Sequence, residues 1–401
     1  MSGKFPKTFS SFDLGTIKLK NRLIMAPLTR QSSHDDGTPT DEMTAYYARR
    51  ARGGLSMIIT EGTYSEDKLG CVAYLNQPGC ANEKHISAWK KIVDAVHDNG
   101  SKIILQLMHG GRVSDPRCLY DNDSPISASS TKSSGAVLYT DTDEEMHNRG
   151  LAPPWPEVNF PEAKEASKED IKNISVGFAE ASERAMKAGF DGVEIHAANG
   201  YLFYQFIDPK QNLRKDEYGG SAINNARAVI ETVDLVRQVI GDEKIISVRL
   251  SQDGVDDFEG QWPGGVNYAE ELGKAFRSSK ADCLHWSSFD WKDNRDNSSE
   301  VPMSKIIKES SGLPMIVNGG IVEGDDCEEI LNSGSGDLCA VGRPLFAHPD
   351  WPHIIRSGEK YNWIEFDRKY VIKPSYDYNY GYPLNLKKSN WNPDISIRKK
   401  R

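Results

Sequence analysis

The sequence predicts an α/β protein built as a single (β/α)8 barrel, the TIM-barrel architecture. The first observation is a set of eight short apolar runs, each typical of a strand that is buried on both faces. The second is that helical patterns separate most of these runs, as the crossover connections of parallel strands require. The third is length: 401 residues exceed the usual single domain, and a barrel can hold such a length in one unit.

We take the eight runs as barrel strands 1 to 8 in chain order. They cover residues 23–28, 55–62, 102–109, 192–198, 244–251, 282–289, 314–320 and 338–345. The predicted helices lie between several of these strands, over residues 84–99, 167–189, 225–240 and 268–279. The clearest is the helix at 167–189, because Ser167 and Asp170 form an approximate capping box and Gly189 supplies a stop.

The segment between strands 3 and 4 is longer than a connection of this kind needs. Residues 113–160, approximately, are rich in Ser, Pro, Gly, Asp and Asn, a composition typical of irregular polar structure. We therefore expect an excursion that caps the barrel mouth and not a second domain. In this division residues 1–370 form the barrel unit with its cap, and residues 371–401 form a C-terminal tail.

Composition and charge exclude several classes of function. Lys and Arg number 49 and Asp and Glu 58, so the formal net charge is −9, which does not suit sequence-independent nucleic-acid binding. No stretch approaches the roughly 20 apolar residues of a membrane span, and the N-terminal MSGKFPKTFSSFDLG lacks the apolar core of a signal peptide. The six cysteines show no metal-binding spacing. We expect a cytoplasmic protein with no metal site and no membrane or nucleic-acid partner.

Polar side chains gather where the predicted strands end, which is where barrel enzymes build their active sites. They are Thr29, Gln106, His196, Asn199, Tyr201, Arg249, Asn318 and Arg343. Such convergence on one rim is difficult to explain by stability alone. Asn318-Gly319-Gly320 and Gly342-Arg343, after strands 7 and 8, are typical of a barrel phosphate site. Glycines let main-chain N–H groups approach an anion, and an arginine can clamp it.

Nine short motifs occur in one order between about residues 9 and 350. They read LKNRLIMAPLTR, ITEGT, LQLMHGGR, AGFDGVEIHAANGYL, QF, DEYGGS, VRLS, IVNGG and AVGRPLFAHPD. In this combination the chain resembles the old yellow enzyme family, FMN-dependent ene-reductases on a (β/α)8 barrel. The resemblance implies FMN as cofactor and NAD(P)H as hydride donor. It also implies an electron-poor alkene, an α,β-unsaturated carbonyl or nitro compound, as the substrate.

The resemblance assigns roles to the residues of the rim. His196 and Asn199 match the pair that holds the carbonyl oxygen of the substrate and stabilises its developing charge. Tyr201 matches the proton donor to the α-carbon, and a phenol with a pKa of about 10 is protonated at neutral pH. The implied cofactor positions are Pro27, Leu28, Thr29, Gln106 and Arg249 around the flavin ring, and Asn318, Gly319, Gly320, Gly342 and Arg343 at the phosphate site.

Other functions stay open at this point. A flavin-free barrel lyase or epimerase could use His196 and Tyr201 as acid and base, but it would leave Thr29, Gln106 and Arg249 without a shared purpose. A non-catalytic protein could keep FMN or another ligand only to signal. A larger relative of the same family carries an iron–sulfur cluster, and the scattered cysteines argue against that form.

Two further expectations concern nicotinamide binding and the buried acids. No G-x-G-x-x-G follows any predicted strand, so we expect no separate Rossmann domain. By the logic of the family, NAD(P)H and the alkene would then use one site in turn, in a ping-pong scheme. Glu61 and Glu194 are expected to be internal partners of arginines and not catalytic acids.

Overall fold

The chain folds into the predicted barrel. The computed structural model describes residues 4–66, 71–119, 124–134, 159–257, 260–296 and 298–358, together with 376–377 and 382–383. In chain order its strands are β1 (Phe12–Leu14), β2 (Ile17–Leu19), β3 (Leu23–Met25), β4 (Met57–Ile59), β5 (Thr63–Tyr64), β6 (Lys102–Met108), β7 (Ile126–Ser127), β8 (Lys164–Glu165), β9 (Gly192–Asn199), β10 (Ile245–Gly254), β11 (Cys283–Ser287), β12 (Met315–Asn318), β13 (Leu338–Val341), β14 (Tyr376–Asp377) and β15 (Tyr382–Pro383).

Eight of these strands form the closed parallel barrel. Their order around the barrel is β3, β4, β6, β9, β10, β11, β12 and β13, and β13 pairs with β3 to close it. Each of the eight predicted apolar runs overlaps one of them, and β9 and β10 extend one and three residues beyond their runs, so the predicted fold class is confirmed. The second run is shorter as a strand because its regular pairing with β6 is interrupted after Ile59 and resumes only at β5. Between β4 and β5, the Glu61 carboxylate accepts the main-chain N–H of Arg30 at 2.9 Å.

Helices occupy the outside of the barrel. They are α1 (Asp41–Arg52), α2 (Glu83–Asp98), α3 (Lys168–Ala188), α4 (Leu202–Ile207), α5 (Ala222–Ile240), α6 (Gly265–Phe276), α7 (Met303–Ser311), α8 (Gly324–Ser333), α9 (Pro344–Ala347) and α10 (Trp351–Ser357). The four predicted helices are confirmed as α2, α3, α5 and α6, with ends that differ by at most three residues. Ser167 and Asp170 form the expected capping box of α3, and Gly189 ends that helix with a φ of +96°.

Inward-facing side chains change from apolar to polar along the barrel axis. On β10, Ile245 is followed on the same face by Ser247 and Arg249, and on β9 Glu194 is followed by His196. The apolar half is closed by the β1–β2 hairpin, and its cluster consists of Leu14, Ile17, Leu19, Ile24, Ala26, Met57, Ile59, Ile104, Ile245, Cys283, Ile316, Leu338 and Ala340. The polar half therefore lies at the carboxyl ends of the strands.

The two ends of the predicted excursion are described, and its middle is not. Strand β7 pairs in parallel with β8, which brings the ends of the excursion together. Residues 135–158 and most of 359–401 lie outside the described residues, so the cap over the mouth and the division at residue 370 stay predictions. Strands β14 and β15 pair in antiparallel fashion. Among the described helices, none is long and apolar enough to cross a membrane.

Candidate active site

Three neighbouring strands place His196, Arg249 and His285 side by side inside the barrel. The parallel registers pair Arg249 with His196 on β9 and with His285 on β11. All three residues are buried. Register thus fixes two imidazoles beside one guanidinium near the carboxyl ends of these strands, the end where barrel enzymes act.

His196 is a neutral hydrogen-bond donor in this environment. The main-chain N–H of Ala198 donates to Nδ1 of His196 at 3.3 Å. Because Nδ1 accepts, the proton of the neutral ring is on Nε2. Burial, together with the charges of Arg249 and His285, holds the pKa of His196 well below 6.5. The Nε2–H group is consequently a donor throughout the physiological pH range.

Asn199, Gly200 and Tyr201 form a tight turn between β9 and α4. Asn199 has a φ of +58°, a left-handed conformation that asparagine tolerates better than most residues. Its N–H donates to Ser251 Oγ at 2.8 Å, and its carbonyl accepts the N–H of Val255 at 3.0 Å. The carboxamide of Asn199 makes no hydrogen bond to the described part of the chain, so both its donor and its acceptor are available to a ligand.

Tyr201 lies against the His196 ring. The two ring centroids are 5.1 Å apart and the ring planes are inclined at 61°. Tyr201 is 8% exposed and belongs to a small apolar cluster at the mouth, formed with Ala73, Tyr74, Met108 and Val113 and flanked by Val255. A phenol between an imidazole and an apolar wall can reach an organic ligand while most bulk water is kept out.

Arg249 is a buried cation with an unused donor. Its Nη2 group donates to Ser287 Oγ at 2.9 Å and to Asn318 Oδ1 at 3.3 Å. Its Nε–H is buried and has no hydrogen-bond partner in the described part of the chain. Burial lowers the pKa of Arg249, but an arginine stays charged. A fixed positive charge with a spare N–H suits a ligand edge that is electron-rich.

Gln106 faces Glu194 across the pair β6 and β9. Its Nε2 group donates to Glu194 Oε1 at 2.8 Å. The expectation that Glu194 is an internal partner of an arginine holds only in part: the charge of Arg249 helps to lower the pKa of Glu194, but its hydrogen-bond donors are Gln106, Ser247 and His285. The Nη2 group of Arg249 donates instead to Ser287 on β11 and to Asn318 on β12.

Residues 27–29 follow β3 at the same rim. Pro27 is buried, and Leu28 and Thr29 are half-buried. The Thr29 hydroxyl lies 3.3 Å from the hydroxyl of Tyr74, which is also 3.4 Å from the carbonyl oxygen of Gly62. A Cβ atom on Gly62 would lie 3.4 Å from Gln106 Oε1. Thr29 contacts Tyr74, Tyr74 contacts Gly62, and Gly62 lies beside Gln106, so Thr29 and Gln106 lie on the same side of the barrel mouth.

Two adjacent strand ends present unpaired main-chain donors. Gly319 and Gly320 follow β12 with φ values of +142° and +65°, and Gly342 and Arg343 follow β13. A Cβ atom on Gly319 would lie 2.5 Å from the carbonyl oxygen of Ser288, so only glycine fits there. Within the described residues, no hydrogen bond uses the N–H group of Gly319, Gly320, Gly342 or Arg343, and the exposed Arg343 guanidinium has no partner. This is the donor set of a phosphate site.

The phosphate-type site and the polar rim are continuous. Asn318 donates through Nδ2 to the carbonyl oxygen of Ala340 at 2.8 Å, and its Oδ1 accepts from Arg249. A Cβ atom on Gly342 would lie 3.3 Å from Leu28 Cδ2. The structure thus brings the sequence-predicted residues of strands 1, 5, 7 and 8 to one rim, next to His196. The donors fit a ligand with an anionic end at β12 and β13 and a polar ring edge beside Arg249 and Gln106, as FMN has.

Sequence reasoning missed several residues that shape this site. Ser287 could have been found, because it follows His285 by two positions on β11 and must face the same way. Tyr74 carries no comparable signal, since a loop brings it to the site. Gln205 belongs to the QF motif of the resemblance, but the sequence assigns it no role. Gln205 is fully buried, donates to the carbonyl oxygen of Gly200 at 2.8 Å, and accepts the N–H of Arg112 at 3.2 Å.

Comparison with known proteins gives consistent matches. Residues 7–362 match the model of the NADH:flavin oxidoreductase / NADH oxidase family. The chain is 29% identical over 371 residues to an NADH oxidase of Thermoanaerobacter brockii, covering 89% of this chain and 52% of that protein. It thus spans about half the length of that relative. It is 31% identical over 386 residues to 12-oxophytodienoate reductase 2 of Arabidopsis thaliana, covering 93% of this chain and 94% of the relative. The solved structure of an old yellow enzyme homologue from Zymomonas mobilis superposes with a TM-score of 0.79 at 28% identity, covering 94% of this chain and 100% of that one.

Proposed function

Because the chain belongs to the NADH:flavin oxidoreductase / NADH oxidase family, we propose that it binds FMN and uses NAD(P)H to reduce the C=C bond of electron-poor alkenes. The substrates are α,β-unsaturated carbonyl or nitro compounds. One observation carries the proposal. The neutral His196 ring, the free carboxamide of Asn199 and the phenol of Tyr201 meet at the end of β9, in register with the buried cation of Arg249.

The chain offers a complete set of partners for FMN. Main-chain N–H groups of Gly319, Gly320 and Gly342, with Arg343, would hold the phosphate. Arg249, Gln106 and Thr29 would hold the polar edge of the ring, and Pro27 and Leu28 would pack along it. When bound, FMN supplies the redox step: it takes a hydride from NAD(P)H and delivers one to the β-carbon of the alkene.

His196 and Asn199 activate the substrate by binding its carbonyl or nitro oxygen. The Nε2–H of His196 and the amide N–H of Asn199 would both donate to that oxygen, where negative charge develops as hydride adds to the β-carbon. Two fixed donors in a buried site stabilise this charge more than water does. Removal of one donor is expected to cost on the order of 3 kcal/mol of transition-state stabilisation.

Tyr201 completes the reduction by protonating the α-carbon. The phenol is nearly buried and remains protonated at neutral pH, yet it is acidic enough to protonate an enolate. It stands next to His196 in the turn that also carries Asn199, so the groups that bind the oxygen and the group that donates the proton are set by one short segment. NAD(P)H and the alkene would occupy this site in turn, which gives ping-pong kinetics.

The alternatives left open by the sequence explain fewer of these observations. A flavin-free lyase or epimerase would have no use for the unpaired N–H groups after β12 and β13 or for the spare Nε–H of Arg249. A non-catalytic flavin protein would have no use for a neutral histidine, a free carboxamide and a phenol at one strand end.

The direct test is the visible spectrum of the purified protein under anaerobic conditions. We expect a yellow protein that is bleached by NADPH or NADH and regains its colour when 2-cyclohexenone is added. A colourless protein that does not take up added FMN would overturn the proposal. A yellow protein that is bleached but never reoxidised by an activated alkene or nitroalkene would overturn the ene-reductase assignment.

A further inference from the structure

Glu194 is a fully buried carboxylate for which the proposed reaction has no direct use. Its Oε1 accepts from Gln106 Nε2 at 2.8 Å, and its Oε2 accepts from Ser247 Oγ at 2.9 Å and from His285 Nδ1 at 2.8 Å. The side chains of Glu194 and His285 are both 0% exposed. Four strands of the barrel, β6, β9, β10 and β11, thus contribute one residue each to a closed polar network.

The network fixes the direction of every hydrogen bond in it. Burial alone would raise the pKa of Glu194, but His285, the charge of Arg249 and the Ser247 hydroxyl outweigh burial and lower that pKa. Glu194 is therefore ionised and can only accept hydrogen bonds. It follows that Gln106 presents its nitrogen to Glu194 and turns its oxygen away. It also follows that His285 carries its proton on Nδ1.

The orientation of Gln106 matters because this residue faces the space assigned to the flavin ring. The imide edge of an isoalloxazine ring carries an N–H donor between two carbonyl oxygens, so its protein partner must offer an acceptor to that N–H group. An amide side chain can offer either group, and only the partner on its far side decides which one. The main-chain N–H of Gln106 is fixed separately, by a bond of 3.0 Å to Thr60 Oγ1.

We propose that Glu194 is a positioning residue that makes Gln106 an acceptor for the imide N–H of FMN. The inference rests on the proposed function, since it presupposes that FMN is the ligand. Glu194 does not touch the ligand in this role. It acts through Gln106, in the way that groups behind a ligating side chain set its orientation at metal sites.

The conservative substitution Glu194→Gln reverses the orientation of Gln106. Two donors, Ser247 and His285, meet at the Oε2 position, so a glutamine at 194 places its oxygen there and its amide nitrogen towards Gln106. Gln106 must then turn its own oxygen to that nitrogen, and its NH2 group comes to face the imide N–H. In the variant, the NH2 group of Gln106 and the imide N–H of FMN, both donors, would face each other. In the wild type the imide N–H faces the Gln106 oxygen, an acceptor, so the variant should bind FMN more weakly.

A double substitution restores the acceptor without restoring the original residues. In Q106E/E194Q, the carboxylate at 106 accepts from the amide at 194 with one oxygen and offers the other to the imide N–H. The matched control is Ser182→Ala, which also removes a buried serine hydroxyl, but one in α3 whose hydrogen bond to the carbonyl oxygen of Phe178, at 2.8 Å, lies outside the network.

The test is a titration of flavin-free protein with FMN and, separately, with N3-methyl-FMN, which lacks the imide N–H. Quenching of the flavin fluorescence reports binding in both titrations. We expect the wild type to prefer FMN over the methylated flavin. E194Q should bind FMN at least tenfold more weakly and lose that preference, the double variant should regain it, and S182A should behave as the wild type does. Circular dichroism of each flavin-free variant separates lost binding from lost folding, and if E194Q does not fold, the double variant alone decides.

Two results would overturn the inference. One is an E194Q protein that folds and keeps the wild-type affinity and preference. The other is a folded double variant that binds FMN with no preference over the methylated flavin. Both differ from failure of the proposed function, in which the wild-type protein itself binds no FMN.

Discussion

Tyr201 is the residue whose replacement separates the two halves of the proposed reaction. Tyr201→Phe removes the proton donor and keeps the ring that packs on His196. We expect the rate of alkene reduction to fall by about 10²- to 10⁴-fold, the usual contribution of general acid catalysis. Reduction of the bound flavin by NADPH needs no proton from this phenol and should be preserved. Anaerobic stopped-flow spectroscopy of each half-reaction measures both rates.

Tyr204 provides the matched control for that substitution. It lies three residues further along, is fully buried, and donates from its hydroxyl to the carbonyl oxygen of Gln252 at 2.7 Å. Tyr204→Phe removes one buried hydrogen bond, which costs about 1 kcal/mol of stability, and should leave both half-reactions as they are. Equal losses of alkene reduction in the two variants would contradict the assignment of Tyr201.

His196 should make alkene reduction insensitive to pH around neutrality. An ordinary histidine gains a proton as the pH falls through 6.5, but burial and the charges of Arg249 and His285 hold the pKa of His196 well below that value. The neutral Nε2–H donor consequently persists as the pH falls, and we expect no inflection near 6.5 in the rate constant for alkene reduction. The measurement is a stopped-flow pH profile from about pH 5.5 to 8, the range in which an unperturbed histidine titrates.

Comparison with His196→Asn gives that pH profile its control. Asparagine supplies an N–H donor that cannot titrate, so the variant should be slower than the wild type but equally flat across the range. An inflection near pH 6.5 that disappears in this variant would show that His196 does titrate, and the neutral-donor role would then be wrong.

At the residue scale, the sequence predicts which residues lie at the ends of the barrel strands. It does not predict which loop residues contact them. His196, Arg249 and Asn318 end apolar runs, so their position at the mouth follows from the barrel alone. The sequence predicts that Glu194 faces the barrel interior near an arginine but does not predict its donors Gln106, Ser247 and His285, because sequence shows which face a side chain occupies and not which neighbour it contacts. Tyr74 reaches Thr29 from a loop of irregular structure, for which no periodicity exists.

The connections after β6 and β10 act together on the turn that carries Asn199. Arg112 Nη2 and Asp256 Oδ2 form an ion pair of 2.6 Å whose side chains are 11% and 4% exposed. Ser133 Oγ donates to the same carboxylate oxygen at 2.8 Å, and Val255, next to Asp256, donates to the carbonyl oxygen of Asn199. One buried carboxylate thus links the excursion and two strand connections to the substrate-binding turn.

Asp256→Ala is therefore expected to affect both stability and alkene reduction. It leaves the Arg112 charge buried without its partner, which typically costs roughly 3–5 kcal/mol, and it loosens the segment that holds Asn199. We expect a lower free energy of unfolding in urea and a lower kcat/KM for the alkene. Affinity for FMN should change little, since the phosphate-type site is on β12 and β13.

The control is Asp94→Asn in the exposed Lys90–Asp94 pair, whose side chains are 58% and 54% exposed. This substitution should lower the free energy of unfolding by less than about 1 kcal/mol. Equal effects of both substitutions would contradict the linking role of Asp256.

At the scale of elements, the sequence predicted every barrel strand and missed several helices. The strands are recognisable because both of their faces are buried and their composition is apolar throughout. Helix α1 was missed because its buried face includes Tyr46, Tyr47, Arg49 and Arg50, which do not form an apolar stripe in the sequence. The Arg50 guanidinium lies 3.5 Å from the centre of the Tyr46 ring, so a cation–π contact replaces the usual aliphatic packing. Helices α7 and α8 have 9 and 10 residues, too few for a clear period.

Across the whole molecule, a ligand that binds the folded barrel mouth should stabilise the fold according to its concentration relative to its Kd. FMN would bind at β12 and β13 through its phosphate and at β6 and β10 through its ring, and it would accept hydrogen bonds from donors that have no partner in the described part of the chain. At a concentration of 100 times the Kd, such a ligand raises the free energy of unfolding by about 2.7 kcal/mol. Riboflavin has the ring without the phosphate, so at equal concentration we expect it to raise the melting temperature of the flavin-free protein less than FMN does.

Arginine 343 supplies the discriminating variant for this comparison. Arg343→Ala should reduce the stabilisation by FMN and leave that by riboflavin unchanged, because only FMN carries the dianion that the guanidinium can bind. The matched control is Arg52→Ala, which removes an exposed arginine at the far end of α1 and should alter neither. Thermal unfolding of the wild type and of both variants, without flavin and with each flavin, measures these effects. If FMN and riboflavin stabilise the wild type equally, the unpaired N–H groups after β12 and β13 do not bind a phosphate, and the polarity assigned to the ligand along the barrel mouth is wrong.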